Sequence, residues 1–204
     1  GVKIGTRRLQ NGTDLRSLWI EKEFLDLSGD SITDYPGVRL TEWNHDLSDQ
    51  SSITDSFGLQ GLDENPNQPA TSLAGNPEQV NSNEIMSTSD DLKTILLDGT
   101  EQPVQSFSHT MDNSPRTQSI LGQAQPLNIK AGQIQLTGNV SMFLSDPALY
   151  TKYTNFENAS FGIVQEDPDG NGYVFGYELV NFTDGSEDPD SSDSDIITDL
   201  SWEA

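Results

Sequence analysis

From Gly132 to Leu144 the chain reads GQIQLTGNVSMFL, and its apolar residues keep to one parity. Ile134, Leu136, Val140, Met142 and Leu144 alternate with Gln133, Gln135, Thr137, Asn139 and Ser141. A period of 2 is the spacing of a strand with one face in a core. Gly138 falls in the apolar series, supplies no side chain there, and marks a bend, a bulge or a close backbone approach. At about 3.3 Å per residue the whole stretch would reach roughly 40 Å, far beyond the usual five or six residues. A barrel or extended wall uses such a strand better than a compact hairpin does. Behind it, Ser145 or Asp146 can cap a helix, Pro147 suits the first turn, and Leu149, Tyr153 and Phe156 recur at helical spacing. The expectation is one short helix over 146–156, packed on the sheet.

Further strands follow from the same alternation. Leu15–Phe24 comes after an Asn11-Gly12 turn signal and places Leu18 and Ile20 on one face, Trp19 on the other. Pro36-Gly37 leads into a strand over Val38–Leu47, and Ile53–Gly61 and Val104–Met111 alternate likewise. Ala159–Gln165 and Tyr173–Phe182 form a hairpin around Asp167–Gly172, and Ile196–Trp202 is a last strand. Asp91–Leu97 is an apolar patch of undecided type, and Asn113–Pro126 reads as connection. The fold class is mainly β, a single domain over 1–204.

Two stretches lack the means to build a core. Leu62–Asp90 is a run of Asn, Gln, Ser, Pro and acids that reads as a long polar loop, and 183–195 holds six acids and no base. The absence of cysteine removes disulfides and thiolate metal sites. No apolar run approaches the ~20 residues that span a bilayer, so no membrane partner is expected. A formal charge of −23 excludes a groove that grips nucleic acid by its phosphates, though not a surface that DNA slides past. Lys3, Arg7, Arg8, Arg16 and Lys22 gather at the start and no base follows Lys152, a polarity that can favour head-to-tail contacts between copies, although a solvated acidic surface is the plainer reading.

Site chemistry is sparse. DPDGNGYVFGYE, from Asp167 to Glu178, matches an EF-hand calcium loop, with Asp167, Asp169, Asn171 and Glu178 as oxygen ligands and Gly172 for the turn. Such loops need a helix on each side, whereas FGIVQ and YVFGYELVNF read as strands, so a hairpin turn is the better account. The expectation is no metal and no cofactor, with those four residues the candidate calcium ligands. His45 and His109, the only histidines, have no nucleophile pattern nearby and read as surface or interface residues. Tyr173, Phe175 and Tyr177 share a parity and line a sheet core, although such a row can also stack sugars. Nothing argues for an enzyme, and no catalytic residue is assigned.

Taken in order, NGTDLRSLWIEKEFLDL, YPGVRL and SSITDSFGLQG, then LTGNVSMFLSDPALYTKYTNF, FGIVQEDPDGNGYVFGYELVNF and DLSWEA, resemble the strand series of phage tail tube proteins, also called major tail proteins. The resemblance spans roughly Leu9 to Ala204. It implies a β-sandwich or half-barrel with one short flanking helix. It also implies hexameric rings with an inner β-barrel, stacked into the conduit through which viral DNA passes during genome ejection. Its partners would be its own copies, other phage tail proteins and DNA passing without specific binding. Its place would be the virion tail, after assembly in the host cytoplasm. In that setting the 132–144 strand suits the barrel wall, the helix the outside of the sheet or a subunit junction, and 62–90 the contact between rings. The resemblance further implies a strand-bearing N-terminal segment ahead of Gly1. The rival expectation is an extracellular, calcium-dependent β-sandwich module that binds carbohydrate.

Overall fold

The computed structural model describes residues 17–24, 26, 31–69, 85–143, 148–188 and 197–204. Among them the strands are β1 (Leu18–Glu23), β2 (Ile32–Ser48), β3 (Thr54–Gln60), β4 (Asn65–Gln68), β5 (Leu92–Leu97), β6 (Thr100–Glu101) and β7 (Val104–Asp112). Then come β8 (Arg116–Gln118), β9 (Asn128–Lys130), β10 (Gln135–Phe143), helix α1 (Ala148–Asn155), β11 (Ala159–Glu166), β12 (Gly172–Asp188) and β13 (Ile197–Glu203). One antiparallel sheet runs β1-β2-β7-β10-β13-β12-β11-β5-β6, with β3 and β4 also on β2, and β8 with β9 forms a separate ribbon. No described helix is long and apolar enough to cross a membrane.

Two long strands bend this sheet. Residues 172–180 of β12 pair with β11, and 181–188 pair with β13. Strand β2 likewise serves β1 and β4 with its first half, and β3 and β7 with its second. Pro36-Gly37, expected ahead of a strand, lies inside β2 at the change of partners. There the register with β1 slips and Gly37 takes a φ of +67°. A proline without an N–H is tolerated because the ladder is already interrupted at that point.

The sheet folds over on itself. Phe107 of β7 and Phe161 of β11 have ring centroids 5.5 Å apart. In the strand order β10, β13 and β12 lie between them. Laid flat, those four strand spacings would separate the rings by roughly 19 Å. Among the described residues the fold is thus two-layered, with free edges, and is not a closed barrel. Phe107, Val140, Met142, Leu200 and Trp202 from one layer meet Ile95, Leu97, Phe161 and Ile163 from the other in one buried cluster. Trp202 sits at its centre, 5.2–5.7 Å from the rings of Phe107, Phe161 and Tyr177.

Several expectations on element bounds needed correction. The 132–144 strand is shorter, because Gly132 is taken up elsewhere. A Cβ there would lie 1.8 Å from the Ser114 carbonyl oxygen, so Gly132 forms the pinched root of the β8–β9 ribbon. That ribbon replaces the plain connection read over 113–126. The acidic run from 183 was expected as a loop, yet β12 continues through it to Asp188 because β13 supplies a ladder. The undecided 91–97 patch is strand β5, joined to β6 by Asp98-Gly99 with φ of 48° and 77°, a two-residue hairpin turn of the kind Asp-Gly favours. Positions 144–147, where the helix cap was read, lie outside the described residues. Helix α1 packs on β12: the Tyr153 ring lies beside Gly185, and Lys152 pairs with Asp98 at the β5–β6 turn.

Candidate functional site

The parity that turns Val140 and Met142 of β10 inward turns Thr137, Asn139 and Ser141 outward. Strand register extends that choice across six strands. One outer row reads Thr54, Asp46, Ser108, Asn139, Ser201, Asp184 from β3 to β12. The next reads Ser56, Asn44, Thr110, Thr137, Glu203, Asn181 in the same order. A third runs Ser48, Ser106, Ser141, Asp199, Ser186, while Glu42, Asp112 and Gln135 continue the face at the other end. No Lys, Arg or aromatic side chain stands in these rows, and the face ends at Phe143 and Ile197.

Side-chain hydrogen bonds link several residues of this face. Thr110 Oγ1 donates to Asn44 Oδ1 at 2.6 Å, Asn44 Nδ2 donates to Ser56 and Glu42, Ser201 Oγ donates to Asn139 Oδ1 at 2.8 Å, and Ser141 Oγ donates to Asp199. Every charged group in these rows is negative. The best-formed depression of the face, among Asn139, Ser141, Asp184 and Asp199, holds about 120 Å³, below the few hundred that a small-molecule pocket needs. Such a surface repels phosphate and offers bases no stacking platform.

The inner side of the same strands holds a polar node. His45 and His109 are cross-strand partners, 1% and 2% exposed, so the expected surface position is corrected. They share the inward parity of Leu47 and Phe107, a signal already present in the sequence. Gln165 of β11 donates its amide N–H to His45 Nε2 at 3.0 Å, which puts the His45 proton on Nδ1, donated to Asp55 Oδ1 of β3 at 2.9 Å. Asp55 also accepts from Trp43 Nε1 at 2.7 Å. The Tyr177 hydroxyl donates to His109 Nδ1 at 2.6 Å, and the Trp43 and His109 rings stand nearly perpendicular with centroids 4.7 Å apart. Burial, then the charge of Asp55, push the Tyr177 hydroxyl above the usual tyrosine range. The node holds bases and an acid but no serine, threonine or lysine nucleophile, and it ties β3, β2, β7, β11 and β12 together.

Burial and the neighbouring His45 lower the pKa of His109 to about 4, against the opposing pull of Asp55. The unfolded chain therefore takes this proton first, near the ordinary 6.5, and stability intact above that value is lost as pH falls toward 4. We expect a loss of about 2–3 kcal/mol from this group, following the linkage of a pKa shift to stability. Urea midpoints taken from pH 7 to 4 for wild type and His109→Gln check it. Parallel pH profiles for the two proteins would rule the group out as the source.

The calcium candidates are not gathered. Asp167 accepts the Asn171 backbone N–H at 2.7 Å and its amide at 3.2 Å, closing the β11–β12 turn on itself. Those bonds, led by the backbone N–H, lower the Asp167 pKa. Glu178 stands six residues up β12 from Gly172, roughly 20 Å at strand rise, so the structure brings Asp167 and Asn171 together and leaves Glu178 apart. Tyr173, Phe175 and Tyr177 share a face as read, passing from exposed through half-buried to buried against Trp202.

No curated protein matches the chain. A family model described as phage tail tube protein matches residues 9–204.

Proposed function

The chain belongs to the phage tail tube protein family, and from that premise we propose that it is the structural subunit of a hollow tube, six copies to a ring, stacked rings conducting DNA during genome ejection. One observation carries this reading: a sheet face six strands wide with acids, amides and hydroxyls and no cation. Facing the lumen, it would give DNA nothing to hold, since phosphate binding needs Lys or Arg and base stacking needs aromatic rings. The sheet bearing that face has open edges among the described residues, at β3 and at 181–188 of β12. Head-to-tail copies can continue the sheet from one subunit to the next until the ring closes. The role is structural and needs no catalytic residue. Its place is the virion tail, assembled in the host cytoplasm, among its own copies and other tail proteins.

Negative-stain microscopy of the purified chain, with mass measurement, tests the reading. Hollow tubes with six-fold rings are expected at moderate salt, and a strictly monomeric particle would overturn it. Stacking one acidic wall on another is opposed by repulsion that reaches about 30 Å at 10 mM salt and about 8 Å at 150 mM. Tubes should therefore weaken in low salt and be restored by divalent cations. Equal stability across that range, followed by light scattering, would remove the charged lumen from the account.

A further inference from the structure

Between Asp112 and Asp146 the chain carries no acid, against 33 in the whole sequence. The structure makes part of that stretch a rooted projection. Asn113 holds the base, its backbone N–H donating to Thr41 O at 2.8 Å and its side chain to Leu40 O at 3.0 Å. Ile129 is buried beneath the ribbon, and Gln60 donates to Thr117 at 3.0 Å. At the far end Gln125 donates to Asp63 at 3.1 Å, while Leu121 is 101% exposed and Ile120 and Leu127 are exposed beside it.

Arg116 and Lys130 face each other across β8 and β9, and both are exposed. Among the described residues the other four bases are engaged within their own subunit. Lys22 lies over the Phe24 ring, Lys93 donates to the Asp90 carbonyl, Lys152 pairs with Asp98, and Arg39 has a partner. Neither ion pair found among the described residues includes Arg116 or Lys130. Copies carrying −23 each repel one another. Among the described residues, an acid-free ribbon with two unengaged bases and an apolar tip is an element whose approach to another copy is attractive.

We propose that the β8–β9 ribbon, through Arg116, Lys130 and its Ile120–Leu121 tip, docks on the acidic surface of a second copy of the chain. This rests on the tube reading and deepens it by naming the element that joins subunits, separate from the wall that meets DNA. Burial of the tip removes apolar surface from water, while the two bases offset carboxylate repulsion at the contact.

The experiment compares the protein concentration at which tubes form for wild type, Leu121→Asp, and Arg116→Glu with Lys130→Glu. At moderate salt both variants should need at least tenfold more protein, and the charge-reversed pair should also need higher salt. Unchanged melting of the monomer separates lost docking from lost folding. Should the double variant misfold, Leu121→Asp decides alone, since its side chain is fully exposed. Wild-type tubes together with variants that assemble at the same concentration would overturn the ribbon contact and leave the tube reading standing. A wild type that never assembles would remove both.

Discussion

Replacing Asp46, Asp199 and Glu203 with lysine is expected to turn tubes that ignore DNA into tubes that hold it. The three positions lie on β2 and β13 in the outward rows, where no base occurs. Each exchange removes a carboxylate and adds a cation, and in the proposed ring, symmetry would repeat it around the lumen. Every phosphate neutralised releases counterions, so affinity should rise by at least a hundredfold at about 50 mM salt and fall away again near 200 mM. Anisotropy of a labelled duplex with preformed tubes reads the binding, and protection from nuclease shows whether the DNA lies inside. Variant tubes that bind DNA no better than wild type, or bind it unprotected, would show that this face is not the lumen wall.

Trp202→Ala is expected to cost about 3–5 kcal/mol, the range for removing a large buried aromatic side chain. That is a substantial fraction of the 5–15 kcal/mol that a domain possesses. The indole is 1% exposed and lies across Gly138, its cross-strand partner on β10. A Cβ at position 138 would meet the indole at 2.4 Å and the Ser108 carbonyl oxygen at 2.2 Å. Gly138→Ala should therefore cost about 1–3 kcal/mol or more by overpacking, and no rotamer can relieve the clash with backbone. In the Trp202→Ala background the indole clash disappears and the carbonyl clash remains, so the two changes should be less than additive. Urea denaturation below the assembly concentration measures all three proteins. A neutral Gly138→Ala would contradict the close approach.

Much of this architecture is written locally. Alternation in β7, β10 and β11 named the strands and their inward faces, because a period of 2 needs no knowledge of partners. Gly138 in an apolar row left a bend, a bulge or a close approach open, and the structure shows the close approach, to the indole of Trp202 and the Ser108 carbonyl. Flanking aromatic and β-branched residues named the two strands that the Asp167 turn joins, and the structure pairs them as β11 and β12. His45 and His109 were misplaced although the parity of Leu47 and Phe107 pointed them inward, since polar residues read as exposed until partners such as Asp55, Gln165 and Tyr177 are known.

Other features had no local signature. Strand β8 is three residues long, too short for a period to show. Strand β2 runs through Pro36-Gly37 and β12 runs into an acidic stretch because neighbouring strands offer ladders there, and those neighbours lie far away in sequence. By itself the sequence determined most of the longer strands, among them β7, β10 and β11, and which side of each is apolar. Only the tertiary structure decided that the outward sides of six strands align in rows of acids, amides and hydroxyls, that the sheet folds over to seal the histidine node, and that one basic ribbon carries an exposed apolar tip. Side-chain parity is a property of neighbours along the chain, whereas register and curvature are set by hydrogen bonds and packing between segments that meet only when the chain is folded.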